Sequence, residues 1–224
     1  EIDLYAVLYP ARQVGGDLYD FFIHENTLFF AIGDVSGKGI PASLLMASTI
    51  SLLRTLSSGS NSPSQIAYSL NNSIAERNEA DMFVTFFIGM LDLRTGVMKY
   101  CNAGHTPPVL TSPDRTVAFF EMQSDLPLGI LKNHDYQEYT YRFVSGSGIL
   151  LYTDGVTDAE NEKNEFYTRE RLLEIVAQNQ ELHPREFIRS IINDIQSHIK
   201  SHELSDDLSM LTFIYGSEWN IKKS

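Results

Sequence analysis

Two pairs of helix-like segments interrupt a chain that otherwise reads as a series of short strands, and that order leaves few folds open. Asp3–Tyr9, Leu18–His24 and Thr27–Val35 are rich in Tyr, Phe, Ile and Leu, and the polar break His24-Glu25-Asn26-Thr27 predicts a hairpin between the second and third. Gly37-Lys38-Gly39-Ile40-Pro41 opens a helix, with Pro41 in its first turn. Ala42–Leu56 is apolar nearly all round (Leu44, Leu45, Ala47, Ile50, Leu53), which predicts burial on more than one face. After a Ser/Gly loop at Ser57–Ser62, a second helix starts at Ser62-Pro63 and runs to about Arg77, with Ile66, Leu70 and Ile74 on one stripe. Strands are predicted at Phe83–Leu91 and Val97–Asn102, joined by a hairpin that puts Gly96 at a left-handed position. Further strands are expected at Val109–Thr111, Val117–Glu121, Glu138–Phe143 and Gly148–Tyr152. Two helices follow, Arg169–Asn179 and Pro184–Lys200, then a last strand, Leu208–Tyr215, and a polar tail, Ser217–Ser224.

Tight hairpins imply antiparallel pairing. The expected fold class is α+β: two antiparallel β-sheets packed as a sandwich, flanked on both outer faces by helix pairs, so that each apolar stripe is covered. No internal repeat or long linker divides the chain, so residues 1–216 read as one domain. A chain of 224 residues buries about 70–75% of its unfolded surface, so a core needs no disulfide or structural metal. The single cysteine, Cys101, sits in an alternating strand pattern and reads as a small buried hydrophobe. The net charge of −12 argues against nucleic acid as a partner. No uninterrupted apolar run reaches the roughly 18 residues that span a bilayer, so no direct membrane contact is expected in this segment. The chain starts at Glu1 without Met and passes straight into a strand pattern, which reads as part of a longer protein.

Four acidic positions stand at the ends of apolar strand runs. Asp17 follows Gly15-Gly16, Asp34 closes Leu28–Gly33, Asp154 closes Ile149–Thr153, and Asp206-Asp207 opens the last strand. A bare carboxylate is costly in such surroundings. Several together suit a hard cation such as Mg²⁺ or Mn²⁺, which takes oxygen ligands. Taken one at a time, each could equally be a turn Asp that accepts backbone hydrogen bonds. One Cys and no zinc-type His pair argue against nitrogen or sulfur ligation. Gly33–Gly39 invites a phosphate-loop reading, but a Walker motif needs Gly at position 32 and Ser or Thr at 39, where Ile32 and Gly39 stand.

Six segments in this order resemble the protein phosphatase 2C-type superfamily of metal-dependent Ser/Thr phosphatases, on its bacterial, stage II sporulation protein E-like branch. They are Pro10–Asp17, Gly33–Ala42, Asn102–Pro108, Leu126–Gly129, Tyr152–Asp158 and Ser205–Ser209. The resemblance implies two Mn²⁺ or Mg²⁺ ions per site, with room for a third. Asp34 would bridge both, the Val35 carbonyl would bind one, Asp154 and Asp206 would complete the other, and Asp17 would hold metal-bound water. Asp158 would help bind a third ion, and Asp207 would support the ligands or add to them. The implied reaction is hydrolysis of a phosphoserine or phosphothreonine monoester by a metal-bridging hydroxide, with no phosphoenzyme. Arg12, five residues before Asp17, would grip the phosphoryl group with its guanidinium fork.

The implied substrate is a small phosphorylated regulatory protein, an anti-sigma-factor antagonist, met in the cytoplasm. A homodimer or a sensor domain fused upstream, with a membrane anchor before Glu1, would fit the same branch. The competing reading is a pseudophosphatase that only binds such a partner. Ser36 stands where eukaryotic members carry a His, which leaves the general acid open. His105, in Ala103-Gly104-His105-Thr106-Pro107-Pro108, reads as a turn-stabilising residue, and Lys38 as a solvated loop lysine.

Overall fold

A computed structural model describes residues 2–57, 59, 62–76 and 82–216. Strands β1 (Ile2–Tyr9), β2 (Leu18–His24) and β3 (Thr27–Val35) come first, then helices α1 (Ile40–Ser57) and α2 (Pro63–Glu76). A strand block follows: β4 (Val84–Asp92), β5 (Val97–Ala103), β6 (Val109–Thr111), β7 (Val117–Phe119), β8 (Tyr139–Arg142) and β9 (Gly148–Tyr152). A 3₁₀ turn at Asp154–Val156 leads to helices α3 (Arg169–Asn179) and α4 (Pro184–Ile199), and β10 (Leu208–Tyr215) closes the order. The expected sequence of elements is therefore observed. Half of the Ser57–Ser62 loop, the expected helix end at Arg77 and all of the tail Ser217–Ser224 lie outside the described residues.

One five-stranded sheet has the order β1-β10-β9-β6-β7 and the other β2-β3-β4-β5-β8, with antiparallel ladders in both. Alternation along single strands explains three packed layers of core. Leu28, Phe30 and Ile32 of β3 face the other sheet, where they meet Leu211 and Phe213 of β10 and Ile149 and Leu151 of β9. Ala31 and Val35 face the opposite way, toward Leu53, Ile66 and Leu70 of α1 and α2. Leu150, Tyr152 and Met210 likewise turn toward Leu172, Val176, Ile188 and Ile191 of α3 and α4. Strands buried on both faces read as near-continuous apolar runs, and β3 and β9 do so for this reason. Gly96, at φ 68°, takes the left-handed position expected in the β4–β5 hairpin.

Helix α1 departs from expectation. Its fully buried residues are Ala42, Thr49, Leu53 and Ser57, a single stripe, while Ile40 and Leu44 are 70% and 64% exposed. One side of α1 lies on the β2–β3 sheet, and Leu45, Met46, Ile50, Leu52 and Leu56 are partly buried against the same core; among the described residues nothing covers Ile40 and Leu44. By length and mean hydropathy α1 could also cross a membrane, but here it packs on a sheet through that stripe. Arg54 near its end holds buried Asp20 of β2 with two hydrogen bonds, 2.7 and 2.8 Å. The predicted α2 stripe is observed, with Ile66, Leu70 and Ile74 all buried.

Candidate active site

The sandwich brings its acidic strand ends to one edge. Asp34 lies near the end of β3, Asp17 just before β2, Asp206 and Asp207 just before β10, and Asp154 in the turn after β9. Ala11, Arg12, Gly15, Gly16, Asp34, Lys38, Ser205, Asp206 and Asp207 line one cleft there. Arg12 is exposed on its wall and makes no hydrogen bond or ion pair among the described residues. Val35 pairs with Val84, and its carbonyl faces the bare α-carbon of Gly16.

Asp17 is the deepest of the set, 1% exposed. Its Oδ2 accepts from the Thr153 hydroxyl at 2.7 Å, and that hydroxyl oxygen accepts from the Ser209 N–H at 2.9 Å. The backbone of β10 thus orients Thr153 toward Asp17. Burial pushes the Asp17 carboxyl up to about 7, against the pull of the Thr153 hydrogen bond, and the Asp207 and Asp154 charges add to the rise. Asp34 is half-buried, and its pKa rises to about 8, first by burial and then by the charges of Asp17, Asp154 and Asp206. Asp154 faces solvent at the mouth; desolvation within the cleft raises its pKa, and the Asp158 and Asp206 charges add to this. Asp158 is exposed, and its N–H donates to the Asp154 carbonyl at 2.8 Å.

Asp206 and Asp207 are adjacent but face different surroundings. Asp206 Oδ2 meets Lys38 Nζ at 2.8 Å, and Lys38 also donates to the Ser205 carbonyl at 2.9 Å. Lys38 is an exposed loop lysine, as expected, and it is also tied to the cleft edge. Asp207 is buried, and its carboxylate accepts from backbone N–H groups of the Ala11–Asp17 segment.

The donor chemistry suits a divalent hard cation. Every candidate ligand is an oxygen, and Asp17, Asp34, Asp154 and Asp206 repel one another with one lysine among them. No three acidic, His or Cys side chains among the described residues close around a single point as a preformed cage. The acidic residues instead come from several separate strand ends, and Mg²⁺ or Mn²⁺, which keep several of their waters, need few protein ligands each.

The sequence profile of the family described as "Stage II sporulation protein E (SpoIIE)" matches residues 24–214. The chain belongs to the SpoIIE family. Phosphoserine phosphatase RsbU of Bacillus subtilis (strain 168) is 29% identical over 211 residues, 94% of this chain and 62% of that protein. Phosphoserine phosphatase RsbP of the same organism is 25% identical over 202 residues, 88% of this chain and 48% of that protein. The chain thus spans about half to three fifths of these relatives. Among solved structures, the SiaA-PP2C domain of Pseudomonas aeruginosa aligns with a TM-score of 0.84 at 17% identity, over 95% of this chain and 85% of that one. The PP2C phosphatase domain of SpoIIE from Bacillus subtilis, solved with a fragment of its regulatory domain, aligns with a TM-score of 0.80 at 19% identity, over 96% and 61%. At these identities the likeness establishes the fold, the expected sandwich with helix pairs outside.

Two residues of the SpoIIE-family segments do structural work. Ser36 is an anchor: its hydroxyl accepts from the Phe83 N–H at 2.7 Å while its own N–H donates to the Phe83 carbonyl at 2.8 Å. His105 is 4% exposed, and burial pushes its pKa down to about 4, so it is neutral. Its Nε2–H donates to the Tyr152 carbonyl at 3.1 Å, so Nδ1 accepts from the Thr85 hydroxyl, also at 3.1 Å. Thr85 pairs with Asp34 across β3–β4, and Tyr152 ends the strand that leads to Asp154. His105 therefore ties β4, the strand beside Asp34, to β9, the strand that leads to Asp154, a reach its place in a turn motif did not reveal. His105→Ala empties a buried site, removes the partner of the Thr85 hydroxyl, and leaves the Tyr152 carbonyl with the Thr106 hydroxyl alone, at 2.8 Å. It should cost about 2–4 kcal/mol and lower Tm by roughly 5–15 °C, measured by circular dichroism; an unchanged Tm would contradict the role.

Proposed function

We propose that this chain is a divalent-metal-dependent phosphatase domain, within residues 1–216, that hydrolyses phosphoserine or phosphothreonine on a small regulatory protein. The observation that carries the reading is Asp34, set among Asp17, Asp154 and Asp206 at one cleft edge: burial first, and then those three charges, raise its pKa to about 8. A protein keeps such repulsion where a cation is to be held. The relatives named phosphoserine phosphatase support the same reaction, and an anti-sigma-factor antagonist, met in the cytoplasm, is the proposed substrate class.

Asp34, the Val35 carbonyl, Asp154 and Asp206 would hold two Mn²⁺ or Mg²⁺ ions, with Asp17 behind them and Asp158 at the mouth for a third. When bound, such ions supply an activated water and neutralise charge on a phosphoryl group. The chain's own residues do the rest. Thr153 fixes the rotamer of Asp17 from below. Arg12, exposed and unpaired on the cleft wall, offers a planar fork to phosphoryl oxygens. The cleft lies between strand ends near the surface, where a phosphorylated loop of another protein can reach it. In this reading water is the nucleophile, so no covalent phosphoenzyme is expected.

The test is release of phosphate from a phosphoserine peptide. Mn²⁺ should stimulate it, EDTA should abolish it, and acid quench should trap no phosphoprotein. Turnover that resists EDTA would reject the metal reading, and no turnover with any divalent metal would favour a protein that only binds its partner. Arg12→Ala should raise KM for the peptide about tenfold, the worth of one charged hydrogen-bond pair, and leave Mn²⁺ affinity alone. Calorimetry beside steady-state kinetics measures both, and an unchanged KM would remove Arg12 from the site.

A further inference from the structure

We propose that Asp207 is a positioning residue and not a metal ligand: its carboxylate holds the Ala11–Asp17 segment in place and so sets Arg12 on the cleft wall. Both its oxygens are already engaged. Oδ1 accepts from the Ala11 N–H at 2.8 Å, and Oδ2 accepts from the Gly16 N–H at 2.6 Å and the Asp17 N–H at 3.4 Å. A carboxylate that accepts several backbone N–H groups is a strong, charge-assisted anchor. It joins points 190 or more residues apart in the chain. In the bend before β10 Asp206 turns to Lys38, while Asp207 is buried and turns to the segment.

Two glycines are fitted to this contact. A Cβ on Gly15 would lie 2.2 Å from Asp207 Oδ2 and 2.6 Å from its Cγ, so the segment approaches this closely only with a bare α-carbon. On the other side, a Cβ on Gly155 would lie 1.9 Å from the Asp207 carbonyl oxygen. Asp207 is thus wedged between the turn that carries Asp154 and the segment that carries Arg12 and Asp17. The Ser43 hydroxyl, which donates to the Gly15 carbonyl at 2.8 Å, gives that segment a second tether. Asp17 has its own support in Thr153, whereas Arg12 is held through its neighbour Ala11 and through Gly16. Loss of Asp207 should therefore disturb phosphate binding more than metal binding.

The inference rests on the phosphatase reading for the consequence at Arg12, but not for the clamp itself. Asp207→Asn and Gly15→Ala attack one contact from its two sides. Asn keeps one acceptor and turns an amide donor on N–H donors; the Ala methyl pushes the carboxylate away. In the full chain, hydrogen exchange at the Ala11–Asp17 amides should accelerate about 10- to 100-fold in both variants, the worth of one or two charged hydrogen bonds. KM for a phosphoserine peptide should rise about tenfold, with kcat and Mn²⁺ affinity by calorimetry each within about threefold. Asp207→Asn should add nothing to the KM of Arg12→Ala. Unchanged exchange in both variants would overturn the clamp. So would Mn²⁺ binding abolished in Asp207→Asn and kept in Gly15→Ala, the signature of a ligand. Faster exchange in both, beside an unchanged KM in Arg12→Ala, would uphold the clamp and retire the phosphate role of Arg12 instead.

Discussion

Asp34→Asn should abolish turnover and, in the absence of metal, make the protein more stable at pH 8. The first effect follows from the proposed bridging role. An amide carries no charge to offset two cations, and the lost transition-state stabilisation of several kcal/mol corresponds to about 10³-fold or more in kcat/KM. The second follows from the cleft's electrostatics. At pH 8 burial, and then the charges of Asp17, Asp154 and Asp206, oppose an Asp34 charge that the unfolded chain carries freely, so folding there is penalised. Asn is similar in shape and removes that charge. A variant that is inactive and more stable is the signature of a functional carboxylate. One that is inactive and less stable would mark Asp34 as a structural residue. Phosphopeptide kinetics and thermal unfolding in EDTA separate the two.

The second large effect is a pH dependence that divalent metal should erase. Asp17 and Asp34 have folded pKa values near 7 and 8, against about 3.9 for an unfolded Asp. Between those limits the metal-free folded protein keeps protons that the unfolded chain has released. Stability then falls as pH rises. The contribution is complete below about pH 4 and is lost as pH passes through the folded values. Tm in EDTA should therefore drop from pH 5 to pH 9, and the drop should be shallower in Asp34→Asn, which isolates this pair from other titrating groups. Saturating Mn²⁺ should flatten the wild-type slope, because ligated carboxylates are ionised already. At a hundred times its Kd, one bound ion stabilises by about 2.7 kcal/mol. A Tm that rises with pH in EDTA, or a Mn²⁺ effect that is equal in Asp34→Asn, would contradict the account.

The fold was legible because its strands are buried on both faces. Thr27–Val35 and Gly148–Tyr152 read as apolar runs between turn residues, and their ends were placed without error. Helix α1 was misjudged because periodicity shows which sides are apolar, not which sides have a neighbour. Ile40 and Leu44 look like core residues in sequence and are open in the fold. The acidic set was legible as a pattern of Gly-flanked carboxylates at strand ends. Asp206 and Asp207 were told apart only through the family resemblance; residue type and spacing do not separate two identical neighbours whose surroundings come from segments far away in the chain. Lys38 shows the same limit: its partner at the cleft edge lies 167 or more residues away and is set only when the sheet edges meet. Signals of this kind have no local trace, since they depend on tertiary contacts and not on spacing.

Calorimetric titration of the wild-type chain with Mn²⁺ tests the central claim most directly. The account predicts two ions per chain, bound with release of protons that is larger at pH 6.5 than at pH 8.5, because Asp17 and Asp34 must ionise to bind them. At least one of those sites should be lost in Asp34→Asn. Absence of binding, or binding that is the same in Asp34→Asn as in the wild type, would contradict it.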